Sequence, residues 1–408
     1  MGARVGRWLV WSMAAWWGLS CVVVAPLDIP GKYPRGWLPD SALLFLLGSA
    51  LGWLAWRGNG QAALRPPDWL HLSAARAALL SLAYLLLRHA PAALRELSER
   101  FDPRGAVSLL AEHFSGESYR LFFLYCADIY LLAGILVSGG YFFLHRRAGS
   151  EEEDKYLACL RSLASLPRLF VGQRPHWSAA ARRGTLTVAL KLFFVPYLTG
   201  WTIENALHLA AFLGPRPWDF YAVNQALMDG CILLDTLVFS IGYLFESRRL
   251  NSGIRSVDPS LLGWVVCLMC YPPFNEFVFA PFDRAWFGIA MTADESTRQL
   301  FTVAVTLLWC VFAWASLSLG FKASNLTSRG LVAHGPYRYV RHPAYAAKLL
   351  IWYIQGVAFG EFSVGLLCAL TVIYVLRALT EEWHLLATDP AYGEYRRRVR
   401  WRFLPWVA

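Results

Sequence analysis

Residues 300–320 read LFTVAVTLLWCVFAWASLSLG, twenty-one consecutive positions without a charged side chain. A helix needs about 20 predominantly apolar residues to cross a bilayer, so this run is long enough to span. Backbone in lipid must satisfy its own hydrogen bonds, which leaves helices or a closed barrel. The run is continuous rather than alternating, so it reads as helix. Similar runs recur along the 408 residues, of which 57% are hydrophobic, 19 are Trp and only 16% are charged. A soluble domain carries roughly a quarter charged residues, so a soluble globular protein is excluded. The expected fold is all-α: a polytopic transmembrane bundle of about ten spans. They fall near 8–27, 38–56, 69–87, 119–143, 185–213, 224–246, 260–282, 300–320, 346–360 and 362–386, the ninth being short.

The formal net charge is +10. With no soluble basic domain in the pattern, nucleic acid is not an expected partner, and the excess reads as membrane topology. Lys and Arg concentrate in the N-terminus, 144–184, 247–259, 321–345 and the C-terminal tail, so these segments are expected in the cytoplasm. The predominance of Arg over Lys points to a GC-rich, bacterial genome and hence to an inner membrane. Asn325-Leu326-Thr327 forms a glycosylation sequon, but a cytoplasmic loop would not meet that machinery. The first apolar run follows two arginines without a small-residue cleavage site, so a retained first span is expected. The 144–184 loop holds an acidic block and then Leu157, Leu160, Leu163 and Leu166, a possible amphipathic surface helix. It separates two expected parts, 1–183 and 184–408. No protein partner is expected.

Eight cysteines are scattered, mostly in apolar runs, and imply no disulfide framework. Cys267 and Cys270 form a CxxC with no second pair or histidine cluster nearby, so no metal is expected. Asp128, Lys191, Glu204, His208, Asp229, Asp235 and Lys348 fall in or near apolar runs. Charge there is costly, so each is expected to face the bundle interior or an aqueous cavity. Glu204 and His208 share a helical face. Two ligands do not make a metal site, and the pair reads as a structural hydrogen bond or a substrate-pocket lining.

The most polar stretch is GPYRYVRHPAYAAK, 335–348. Gly335 and Pro336 break the chain, and Pro343 forbids a helix running through His342. On residue type alone, Arg338 and Arg341 anchor to lipid phosphates while Tyr337, Tyr339 and Tyr345 sit in the interfacial aromatic belt. A second cluster, VLRALTEEWHLLATDPAYGEYRRRVRWRFLPW at 375–406, changes that balance. Glu381 can pair with Arg377 one turn back. Glu382 has no such local partner. Two carboxylates at the depth of a cationic loop can line one polar pocket.

The order GPYRYVRHPAY, EE, AYGEYRRRV and a closing LP resembles the isoprenylcysteine carboxyl methyltransferase family, whose wider relatives include membrane phospholipid N-methyltransferases. The resemblance covers residues 318–405. It implies an S-adenosylmethionine site built from Gly335, Tyr337, Arg341, His342, Pro343, Tyr345, Glu381, Glu382, Tyr395 and Arg398. In that site Arg341 would hold the cofactor carboxylate, and Glu382, with Glu381 as second choice, its ammonium or ribose hydroxyls. Tyr345 or Tyr337 would face the sulfonium or adenine. No catalytic acid or base is implied. Where family members carry a small residue or an acid after RHPxY, this chain has Ala346, Ala347 and Lys348, and Lys348 is a candidate for meeting an anionic substrate. The implied function is methylation of a lipid or lipophilic acceptor drawn from the bilayer. Sterol-reductase-like enzymes that use NADPH share an RHPxY element, but with Asn where Ala344 stands and DE in place of EE. A transporter or scaffold that uses the polar ring as an anchor is the third alternative.

Overall fold

The computed structural model describes residues 66–101, 105–123, parts of 130–139, 155–165, 177–215, 217–246, 250–282 and 293–405. The expected spans near 8–27 and 38–56, and most of that near 119–143, lie outside these residues. The chain is mostly helical and divides into two compact units, Met1–Leu207 with Tyr243–Gly253, and His208–Gly242 with Ile254–Ala408.

The first unit contains α1 (Pro66–Phe101), α2 (Ala106–Phe114), α3 (Glu117–Phe122), α4 (Lys155–Ser165) and most of α5 (Ala179–Phe212). An ideal Cβ on Gly200 would stand 1.7 Å from the Ser118 carbonyl oxygen, so only glycine admits this approach of α5 to α3. The Ser118 hydroxyl then donates to Glu204 Oε2 at 2.9 Å. Glu246 is buried and accepts from Lys155 at 2.5 Å, from Lys191 at 2.8 Å and from the Tyr156 hydroxyl. The amphipathic pattern around Leu157 is thus a helix, whose Lys155, Tyr156, Ala158 and Cys159 are buried.

The second unit holds α6 (Phe220–Leu244) for most of its length, α7 (Leu261–Leu268), α8 (Glu276–Phe279), α9 (Glu295–Leu319), α10 (Pro343–Phe359), α11 (Val364–Thr388) and α12 (Pro390–Arg398). Its only regular pairing among the described residues is the antiparallel ribbon of β1 (Ser256–Val257) with β2 (Thr327–Ser328). Helix ends follow local chemistry. Pro343 opens α10 at a position where a missing N–H costs nothing, and left-handed Gly360 (φ 70°) closes it. The Ser363 side chain caps α11, and Asp389 ends α11 and caps α12 through its side chain and the Ala391 N–H. Val278, Leu366, Leu370, Ile373 and Tyr374 form a core, with Tyr345 and Trp352 packed against it.

Among the described residues, four helices are long and apolar enough to cross a membrane: Ala179–Phe212, Phe220–Leu244, Glu295–Lys322 and Val364–Thr388. At 17 residues α10 is shorter than a standard span. The count of ten is therefore not reproduced, and one expected span is corrected outright. Residues 260–282 form α7 and α8 with turns between them. Pro272 and Pro273 stand between the two helices and supply no N–H, so a continuous helical ladder cannot pass.

Candidate functional site

The polar stretch begins with a turn that only glycine fits. Gly335 has φ 59°, and a Cβ there would stand 2.2 Å from Ser318 Oγ on α9. A single 3-10 turn, Gly335–Arg338, follows and buries Pro336 and Tyr337. The chain then runs extended past the tail. Arg341 N–H donates to the Trp401 carbonyl at 3.0 Å and His342 N–H to that of Arg402 at 2.8 Å. Arg341 Nη1 adds bonds to the carbonyls of Val399 (2.9 Å) and Arg400 (2.7 Å). The tail is held in turn by Tyr392, Tyr395 and Val399, which pack on Leu331, Ala333 and Leu385. The Tyr395 hydroxyl donates to the Tyr337 carbonyl at 2.8 Å. Burial pushes that phenol up to about 12, so it stays a donor at neutral pH.

Glu382 ties these pieces together. It is 1% exposed and faces arginines and a histidine. Its Oε1 accepts from Arg341 Nε at 2.8 Å and Arg402 Nε at 3.0 Å, and lies 3.3 Å from His342 Nε2. Arg396 Nε stands 3.9 Å from Oε2. Removing any one partner would leave buried charge uncompensated.

Glu381 is the open carboxylate of the pair, its side chain 25% exposed. It accepts from the Tyr345 hydroxyl and from Arg377 Nε at 3.3 Å, the i,i+4 pair visible in the sequence. Tyr345 stacks on His342 with centroids 5.3 Å apart, while the Arg377 guanidinium lies 4.9 Å from its ring centre. Arg377 also donates to Asn325 Oδ1, which accepts from Tyr271 at 3.2 Å as well. The side chain of the sequon asparagine is thus a buried acceptor. Arg341 Nη2 makes no hydrogen bond among the described residues. An unused guanidinium nitrogen, a part-open carboxylate and the aromatic faces of His342, Tyr345 and Phe403 therefore lie close together.

The structure brings Gly335, Tyr337, Arg341, His342, Pro343, Tyr345, Glu381, Glu382 and Tyr395 into one neighbourhood. Arg398 is exposed on α12. Lys348 lies on α10 with its ammonium 5.7 Å from the Phe312 ring centre and 5.5 Å from that of Trp352. Glu204 is engaged by Ser118, and His208 is exposed. Sequence reasoning missed Arg402, Asn325, Tyr271 and the carbonyls of 399–402. Their partners lie 20 to 60 residues away, beyond any local periodicity. The one available signal was Arg402 within an aromatic tail, a cation needing an anion.

No curated protein and no solved structure gave a significant match to this chain. Residues 321–393, which carry the 335–348 stretch and the glutamate pair, match the family model of the phospholipid methyltransferases, and with the long apolar helices this points to an integral membrane methyltransferase.

Proposed function

We propose that this chain is an integral membrane, S-adenosylmethionine-dependent methyltransferase acting on a lipid or lipophilic acceptor, with its site on the cytoplasmic face. The observation that carries it is the clasp of Glu382 on Arg341 beside the Tyr345–Glu381 hydrogen bond, all within the family-matched stretch. The donor set fits a zwitterionic nucleoside cofactor. Arg341 Nη2 would take its carboxylate, and Glu381 its ammonium or ribose hydroxyls, while the aromatic rings beside them favour a cation. Glu382 has first place as organiser rather than ligand, because two guanidiniums and the His342 imidazole already enclose it. When bound, the sulfonium cofactor supplies an electrophilic methyl group. The chain's own part is to orient, to exclude water and to hold the acceptor in line, which suffices for a direct displacement.

The NADPH-reductase alternative loses ground because Ala344 and Glu381-Glu382 replace the residues that mark it. No protein or nucleic-acid partner is proposed beyond the bilayer and the acceptor. Calorimetric titration of the detergent-solubilised chain with S-adenosylhomocysteine and, separately, NADPH tests this. Binding of the homocysteine adduct, weakened by Glu381→Gln, is expected. Binding of NADPH alone would transfer the site to the reductases, and binding of neither by folded protein would return it to membrane anchoring.

A further inference from the structure

The clasp uses only part of the basic charge around it. Arg341 and Arg402 are engaged by Glu382, and Arg396 stands 3.9 Å from it. Arg397, Arg398 and Arg400 are exposed, and their guanidiniums form no hydrogen bond or ion pair among the described residues. Arg338 is exposed too, its guanidinium 5.6 Å from the ring centre of Tyr339, itself 59% exposed. These cations share one region. The Tyr395 hydroxyl of α12 donates to the Tyr337 carbonyl at 2.8 Å, and Arg341 Nη1 donates to the Arg400 carbonyl at 2.7 Å. Tyr392, Tyr395 and Val399 turn inward onto Leu331, Ala333 and Leu385, which leaves positions 396–398 on the outer side of α12. The local acid on that side is the exposed Glu394.

The helical hairpin beneath sets the depth of this region. α10 and α11 run antiparallel, since Tyr345 meets Glu381 and the Tyr353 hydroxyl lies 3.0 Å from that of Thr371. The start of α10 and the end of α11 therefore lie at one level. The 25 residues of α11 extend about 37 Å, more than a hydrocarbon core of about 30 Å, so its last turn reaches the headgroups. Trp383 near that end and Tyr339 are exposed aromatic rings of the kind that settle at this boundary. Only Asp389 separates α11 from α12. Unpaired guanidiniums immediately beyond a span lie where phosphates are, and their planar forks suit phosphate oxygens.

We infer that α12 and the tail form a docking surface for anionic lipid headgroups, whose phosphates bridge Arg338, Arg397, Arg398 and Arg400 and hold the tail against Arg341. The partner is the charged surface of the membrane, not a reacting acceptor, so the inference stands apart from the transferase assignment. It makes closure of the tail depend on surface charge. The carbonyls of Trp401 and Arg402 accept from the N–H groups of Arg341 and His342, and these two bonds are lost when the tail leaves. Arginines that served only to orient the chain during insertion would leave that closure indifferent to headgroup charge.

The test uses the full chain in phosphatidylcholine bilayers, alone or with an equal amount of phosphatidylglycerol. Electron spin resonance of spin-labelled lipids reads the preference for the anionic lipid over the zwitterionic one. Hydrogen exchange reads the amides of Arg341 and His342. In about 0.1 M salt the preference is expected to reach about fivefold, the effect of one guanidinium at an anionic surface. It should vanish in about 1 M salt, where the screening length is about 3 Å. Exchange at the two amides should slow by a similar factor when phosphatidylglycerol is present. The combined Arg338→Gln, Arg397→Gln, Arg400→Gln protein should lose both effects, and Glu394→Gln should strengthen them. If the triple variant does not fold, the wild-type salt and lipid comparisons decide alone. A wild type without preference, a preference kept by the folded triple variant or in about 1 M salt, or exchange indifferent to lipid charge overturns the docking surface. Protection by soluble polyglutamate over phosphatidylcholine, but not by phosphatidylglycerol, also overturns it and assigns the face to an acidic protein.

Discussion

Glu382→Ala is the most informative single change. Glu382 is the carboxylate shared by Arg341, His342 and Arg402 at 2.8, 3.3 and 3.0 Å, and it is almost fully enclosed. Deleting one member of a buried charge network leaves the others desolvated and unpaired, at a cost of about 3–5 kcal/mol. Most of that cost is relieved if the tail detaches, because Arg402 can then reach water. At about 1.4 kcal/mol per factor of ten, the open population should rise roughly 10²- to 10³-fold. Limited trypsinolysis reads this directly, since residues 396–402 hold five arginines, Arg396, Arg397, Arg398, Arg400 and Arg402. Cleavage tracks the open population when closing is faster than cutting. Glu381→Ala is the control. Its partners are Tyr345 and Arg377 rather than the tail, so it should leave tail cleavage near the wild-type rate. A Glu382→Ala tail as resistant as wild type, or equal release in both variants, would refute the clasp.

Two further expectations can be checked by thermal unfolding in detergent, and a third by proteolysis. Gly335→Ala should destabilise by more than the roughly 1–2 kcal/mol of a left-handed backbone, because its Cβ would also meet Ser318 Oγ at 2.2 Å. A second change, Ser318→Gly, should recover only the excess. Tyr395→Phe leaves the Tyr337 carbonyl without its 2.8 Å donor and should cost about 1–3 kcal/mol. The neutral form of Tyr395 is the one the fold favours, its phenol being raised from 10.0 to about 12. Its contribution is therefore complete below pH 10 and declines as pH rises towards about 12. Tail protection against proteolysis should fall over that interval, and the Tyr395→Phe protein should show a shallower fall.

The parts legible in the sequence were those governed by local pattern. Long apolar runs gave α5, α6, α9 and α11, and Pro343 marked the start of α10. Glu381 and Arg377 were readable as a pair because helical spacing alone brings them together. The run at 260–282 misled because hydropathy does not register that Pro272-Pro273 removes two donors. Glu382 was harder still. Its partners sit on an extended segment 41 residues before it and on a tail 20 residues after it, and only the folded chain sets their register. The sequence therefore named the residue types of the site but ranked the two glutamates by their apparent lack of local partners. Enclosure, which local spacing does not show, separates them: Glu382 is almost fully buried and Glu381 is the more open of the two.

The tail grip also has a consequence for biosynthesis. Chains emerge from the ribosome in order, so Arg341, His342 and Glu382 reach the membrane before the carbonyls of 399–402 and the Arg402 guanidinium exist. Until then Arg341 lacks its main-chain acceptors and Glu382 lacks one of its two close guanidiniums. A nascent or prematurely terminated product would thus display an under-neutralised acid beside an exposed aromatic wall. Such a surface is open to chaperones and proteases until residues 399–402 have been made and close over it.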